Sequence, residues 1–179
     1  GSYDAQKKEL TWKIIVNYNQ DTITNGKISD KILEGQKYVT DSAKIYKGVI
    51  HPSNGNVTYD NKKELSGIVN YADETVTANL PEGSKDVYVL VFKTSLEGTV
   101  IGSGTYSNKA IYQTNGDTMD LSASATVANG GVYGAKSGAV DSENSNFVNW
   151  KVKLNPSQST ISDFKIVDKP SNNQIIDES

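Results

Sequence analysis

The stretch WKIIVNYNQDTITNGKISD, residues 12–30, returns 138 positions later as WKVKLNPSQSTISDFKIVD, residues 150–168. The overlay needs no gap, and nine of its nineteen positions are identical: Trp12, Lys13, Asn17, Gln20, Thr22, Ile23, Lys27, Ile28 and Asp30 all recur. A self-match at one long period marks tandem structural units, here one per 138 residues. Two similar hairpins inside a single domain is the other reading, since short strands resemble one another. On the tandem reading, residues 1–129 are a domain that lacks its own first strand, and residues 130–179 are the N-terminal part of the next repeat. About fifty residues of sheet cannot bury a core alone. The second piece therefore either completes a sandwich by strand exchange or lies against the first.

Within the repeated stretch, Trp12, Ile14 and Val16 alternate with more polar neighbours, the period-2 signature of a half-buried strand. Working outward, the same alternation predicts strands over 11–17, 22–32, 43–49, 56–59, 64–69, 75–80, 87–94, 104–114 and 121–128, while helical periodicity is nearly absent. Asn25-Gly26, Asn54-Gly55, Pro81-Glu82-Gly83 and Asn115-Gly116-Asp117 supply the backbone geometries that tight turns need. Nine short strands of this kind imply an all-β sandwich. Asn129-Gly130-Gly131 is the expected interdomain joint, short enough for two sandwiches to stack as a stalk.

Composition narrows the function. The chain has 179 residues and 19.4 kDa, enough for one domain or slightly more. Ten of its fifteen aromatic residues are Tyr, as expected of a thin, sheet-type core. All eighteen basic residues are Lys, and the net charge is −3, so no guanidinium is present to fork onto phosphate or guanine and nucleic acid is not an expected partner. Without Cys there is no disulfide, thiolate metal site or Cys nucleophile. No apolar run reaches the roughly 18 residues of a membrane span, and Gly1-Ser2 reads as a cloning remnant rather than a leader.

Some residues break the bland pattern. In Lys27-Ile28-Ser29-Asp30-Lys31-Ile32, alternation puts the Asp30 carboxylate on the face of Ile28 and Ile32. Asp168 repeats this in phase with Phe164 and Ile166. Asn108 falls on the face of Ala110 and Tyr112. A buried Asn beside a buried Asp is costly without partners. Lys136 is the candidate third member, because Lys, Asn and a carboxyl can form an intramolecular isopeptide bond. Burial favours neutral Lys as nucleophile and protonated Asp as proton shuttle, a single-turnover reaction rather than enzyme turnover. The simpler alternative has Asp30 capping a turn, Asn108 bonding backbone and Lys136 solvated.

These residues resemble the collagen-binding-type domains of Gram-positive surface adhesins and related stalk modules. The resemblance rests on Lys136-Ser137-Gly138, Trp150 fourteen residues after that Lys, Asn155 and Asp168. In the first copy it rests on Trp12 to Asn17, Lys27 to Asp30, Gly35-Gln36 and Asn108-Lys109-Ala110. It implies a variant immunoglobulin-like sandwich, with Lys and Asn cross-linked across neighbouring strands and the Asp as catalyst. Neither copy owns all three: the first copy's Lys position, fourteen before Trp12, precedes Gly1, with Lys7 and Lys8 too close to Trp12, and the second copy has no counterpart of Asn108. A full set, Lys136 with Asn108 and either Asp30 or Asp168, needs strand exchange, within one chain or between chains. An unswapped tail is the remaining arrangement.

The expected role is accordingly a structural or adhesive module of a cell-wall-anchored, extracellular surface protein. Its expected partners are neighbouring repeats, a strand-swapped second copy and a host matrix protein such as collagen, through residues the sequence does not identify. A carbohydrate-binding module is the alternative, with Tyr18, Tyr38, Tyr46, Tyr59, Tyr71 and Tyr88 as its aromatic row. No cofactor or metal site is expected. His51 lies in a turn with no triad-like neighbours, and Asp141 to Asn144 and Asp117 to Asp120 lack the pattern of a calcium loop.

Overall fold

The computed structural model describes residues 1–177 and holds thirteen strands among them, with no helix. In chain order they are β1 (Ser2–Asp4), β2 (Glu9–Val16), β3 (Lys27–Lys31), β4 (Lys37–Tyr38), β5 (Lys44–Ile50), β6 (Val57–Glu64), β7 (Val69–Ala72), β8 (Thr75–Asn79), β9 (Val87–Ser95), β10 (Thr105–Thr114), β11 (Asp117–Thr126), β12 (Gly134–Val140) and β13 (Val148–Leu154). One sheet has the order β1-β2-β9-β5-β6, with β4 also on β9 beyond the end of β5. The other has the order β11-β10-β3-β8-β7. Every pairing is antiparallel, and the two sheets form an immunoglobulin-like sandwich.

Alternation decides which side chains enter the space between the sheets. Leu10, Trp12, Ile14 and Val16 of β2 face inward beside Tyr88, Leu90 and Phe92 of β9, and meet Ile28, Val76, Ala78, Ala110 and Tyr112 from the opposing sheet. Burying those aromatic and branched groups is the main stabilising term, at roughly 1.5–3 kcal/mol for each large side chain.

Two predicted strands need correction. The run 22–32 is strand only over Lys27–Lys31, because Asn25 takes a positive φ of 51° and the turn ends at Gly26. The run 64–69 is instead a connection, since Gly67 sits at φ 78°, a conformation open to glycine, and separates the end of β6 from the start of β7. Strands β1, β4, β7, β12 and β13 escaped the periodicity reading, apart from Val69 at the end of the 64–69 run; β1 and β4 are only three and two residues long.

The repeat extends to atomic detail. Asn17 and Asn155 both adopt left-handed backbone, at φ 57° and 46°, and each donates its side-chain amide to the carbonyl four residues on, Asp21 at 2.9 Å and Ser159 at 2.8 Å. The second copy contributes the β12–β13 hairpin, whose strands are exposed throughout. Its following turn is fastened to the end of the sandwich. The Ile101 amide donates to Ser159 Oγ at 2.8 Å, Thr160 N–H to Thr99 O at 2.8 Å and Gly131 N–H to Ile101 O at 2.9 Å.

Candidate functional site

Asp30 and Asn108 are brought together by register. β10 pairs with β3 so that Ala110 lies opposite Asp30, which puts Asn108 two residues along on the same inner face. The Asn108 side-chain amide donates to Asp30 Oδ2 at 2.6 Å, and both residues are buried, Asp30 completely. Its second carboxylate oxygen, Oδ1, is buried with no hydrogen-bond partner. Burial pushes the Asp30 carboxyl up from 3.8 to about 7, against the smaller opposing effect of the Asn108 hydrogen bond. Asp30 is thus able to hold or release a proton near neutrality, beside an amide carbonyl carbon that can be attacked.

A hydrogen-bonded relay braces this pair. Trp12 Nε1 donates to Thr94 Oγ1 at 2.9 Å, the Thr94 hydroxyl donates to Gln36 Oε1 at 2.6 Å, and Gln36 Nε2 donates to the carbonyl of Ser107, next to Asn108, at 3.1 Å. The relay links β2, β9 and the connection before β4 to β10. Thr94 is a functional neighbour that the sequence reading missed, although it was findable: it falls in phase with Leu90 and Phe92 on an inward face, as Asp30 does with Ile28.

Beside the pair runs a groove of about 170 Å³, bounded by Trp12 to Ile15 of β2 on one side and Leu121 to Ala123 of β11 on the other, with Asn108 and Ala110 between them. Lys13 lines it, but its side chain belongs to the outward set of β2.

Lys136 and Asp168 form a second, separate pair. The Lys136 ammonium meets the two carboxylate oxygens of Asp168 at 2.8 and 2.9 Å and lies 4.5 Å from the ring centroid of Trp150. Their side chains are 41% and 50% exposed, so water screens this contact while Asp30 is dry. The four expected site residues therefore stand as two pairs, Asp30 with Asn108 and Lys136 with Asp168; the structure does not bring Lys136 to Asn108.

The remaining candidates are surface or core features. Tyr88 and Tyr46 are buried, Tyr38 stacks on Tyr71 at 3.9 Å and Tyr46 on Tyr59 at 4.8 Å, and Tyr18 bonds the Gly55 carbonyl at 2.7 Å. His51 Nε2 shares a hydrogen bond with Thr58 Oγ1 at 2.9 Å. Asp141 Oδ1 accepts the amides of Glu143 and Asn144, closing its own turn. No group of three or more His, Cys, Asp or Glu is placed for a metal among the described residues.

The chain is similar to the solved structure of the collagen-binding subdomain of the Enterococcus faecalis surface protein ACE, at 16% identity and a TM-score of 0.49, covering 70% of this chain and 90% of that one. The collagen-binding domain of a Staphylococcus aureus adhesin matches at 15% and 0.48, covering 70% and 93%. That of the Erysipelothrix rhusiopathiae surface protein RspB matches at 15% and 0.48, covering 83% and 45%. No curated protein sequence matches. The family model described as "Collagen binding domain" matches residues 1–124. With that match over more than half its length, the chain belongs to the collagen binding domain family.

Proposed function

We propose that the chain is an adhesive module of a cell-wall-anchored Gram-positive surface protein, stabilised by a self-formed amide between Lys136 and Asn108 with Asp30 as its acid–base catalyst. The observation that carries the chemical part is the dry Asp30–Asn108 contact at 2.6 Å. A neutral Lys amine attacks Asn108 Cγ, and Asp30 passes the displaced amine proton to the departing Asn nitrogen. Ammonia leaves, and one C–N bond replaces another. The reaction happens once per site. In a protein without Cys, such a bond lets pulling force pass through an amide instead of sheet hydrogen bonds.

Family membership supports host collagen as the ligand. The outer face of the second sheet offers a groove of about 470 Å³ for it, in which Ile111 lies between Ser29 and Asp120 by register and Lys31 and Lys109 form the rim. Ile111 is 42% exposed, an apolar floor set among charges. Binding to a collagen-coated surface, with Ile111→Asp weakening it about tenfold or more, tests the adhesive part. For the chemical part, the intact denatured mass should lack one ammonia per link, and Asn108→Ala should abolish that loss.

A further inference from the structure

We propose that the end loop of the sandwich, Thr99 to Ile101, is a docking surface for the serine-bearing turn of the following copy, Asn155 to Thr160, and that the two lock into a rigid joint holding consecutive copies at one fixed orientation. Such a joint needs neither collagen nor the amide.

Three segments meet there, and each bonds the other two. The linker donates to the loop from Gly131 N–H to Ile101 O at 2.9 Å. The turn donates to it from Thr160 N–H to Thr99 O at 2.8 Å, and accepts the Ile101 amide at Ser159 Oγ at 2.8 Å. Linker and turn are tied by Asn155 N–H to Tyr133 O at 2.8 Å and Ser157 N–H to Val132 O at 3.1 Å. To swing, the second copy must break bonds on two sides at once. The loop is backed by the core, because Leu96 and Ile101 are both fully buried in it, and Thr99 N–H and Oγ1 both donate to the Leu96 carbonyl, at 3.2 and 2.7 Å.

Asn129-Gly130-Gly131 has the composition of a flexible linker. Packing gives it the opposite role. A Cβ at Gly130 would stand 2.0 Å from the Ser103 carbonyl oxygen, and one at Gly131, at φ 79°, would stand 2.9 Å from Gly102 O. Both neighbours are backbone, so the glycines serve close approach of two chain segments.

The loop selects a hydroxyl at position 159. Ser157 Oγ donates to Asn155 Oδ1 at 3.1 Å, so the proton in the 2.9 Å contact between the two serines comes from Ser159, which itself accepts from Ile101 N–H. This chain of bonds is dry, with Ser157 and Ser159 only 2% and 5% exposed, and its middle member must both accept and donate. The first copy carries Asn19 and Asp21 at these two places, both exposed. An aspartate at 159 would accept from Ile101 but have no proton for Ser157, and its charge would be buried near the Ile101 carbonyl, which lies 3.4 Å from Ser159 Oγ. The partner that fits is therefore a following copy with Ser-x-Ser in this turn, and the joint distinguishes one copy's turn from the other's.

The chain has no Cys, so introduced pairs can be spin-labelled cleanly. In a Lys136→Ala background, which cannot form the amide, Lys62→Cys on β6 with Lys153→Cys on β13 spans the joint, and Lys62→Cys with Lys109→Cys on β10 stays within the sandwich; all three lysines are exposed. We expect pulsed electron-spin distance measurements to give a cross-joint distribution as narrow as the internal one. Ser157→Asn with Ser159→Asp, which transplants the first copy's residues, should broaden the cross-joint distribution about twofold or more and leave the internal pair unchanged. If that variant unfolds, shown by a broadened internal pair, Ser159→Ala decides: it breaks the hydroxyl chain without adding charge and should broaden the joint pair alone. A broad cross-joint distribution with both serines present overturns the rigid coupling. One that stays narrow in the serine variants overturns selection by the hydroxyls. Collagen binding and ammonia loss are separate readouts, so failure here leaves the adhesive and amide readings standing.

Discussion

Asn108 is the diagonal cross-strand neighbour of Asp30: Ala110 stands directly opposite the carboxylate, and the Asn108 amide reaches back across the pair to Oδ2 at 2.6 Å. The result is a carboxyl group shielded on the inner face of a sheet, with one polar neighbour for one of its two oxygens.

That isolation sets a pH dependence of stability. The Asp30 carboxyl stands at about 7 in the folded chain against an ordinary 3.8. Between those values the folded state keeps a proton that the unfolded state has lost, so stability is fully present below about pH 4 and is lost as pH rises to about 7. Asp30→Asn, neutral and isosteric, should remove this fall. Urea midpoints at both ends of the window, measured in a Lys136→Ala background that cannot form the amide, check it. Equal slopes with and without Asp30 would contradict the assignment.

The Trp12–Thr94–Gln36 relay should be measurable in its own right. Thr94→Val keeps the shape of the side chain but leaves the buried Trp12 N–H without an acceptor and Gln36 without a donor. A stranded buried polar group costs about 1–3 kcal/mol, so chemical denaturation should show a loss of that order. A loss below about 0.5 kcal/mol would mean water replaces the hydroxyl.

Legibility in the sequence followed strand phase. Asp30 and Asn108 could be seen because a carboxylate and an amide among Ile28, Ala110 and Tyr112 violate a period-2 pattern, and burial follows that phase in both strands. Thr94 obeys the same phase but passes unnoticed, since Thr is an ordinary strand residue. Lys136 and Asp168 were grouped by the resemblance, which puts both in the second copy, but strand phase alone did not show that the two side chains meet. The joint was hidden for a related reason: Ser157 and Ser159 are buried, whereas Asn19 and Asp21 at the same places in the first copy are exposed. Periodicity reports which face a residue takes, and is silent on what docks against a turn.

That joint yields a third expectation. Ser159 Oγ accepts the Ile101 amide and shares a hydrogen bond with Ser157 Oγ at 2.9 Å, all of it buried. Ser159→Ala strands the Ile101 N–H and should loosen the second copy without touching the sandwich core. Hydrogen exchange at Ile101 and proteolysis within residues 131–160 should accelerate about tenfold, while β9 keeps its protection. If β9 loosens in step, the two copies unfold as one unit and the joint is not a separate weak point.

Which carboxylate performs the chemistry can be decided by comparing the two aspartates directly. Asp168 touches Lys136, but the pair is open to water and lies away from Asn108, the amide that must be broken. Asp30 is dry, stands at about 7 and touches the amide that must be broken. Asp30→Asn should therefore slow link formation by at least about 100-fold, the usual contribution of a placed acid–base group. Asp168→Asn should leave the rate unchanged or raise it, since it frees the amine from its screened partner. The measurement is the appearance of ammonia-deficient product over time by intact mass. Equal slowing by both substitutions would show that Asp168 travels with Lys136 into the groove and shares the proton transfer.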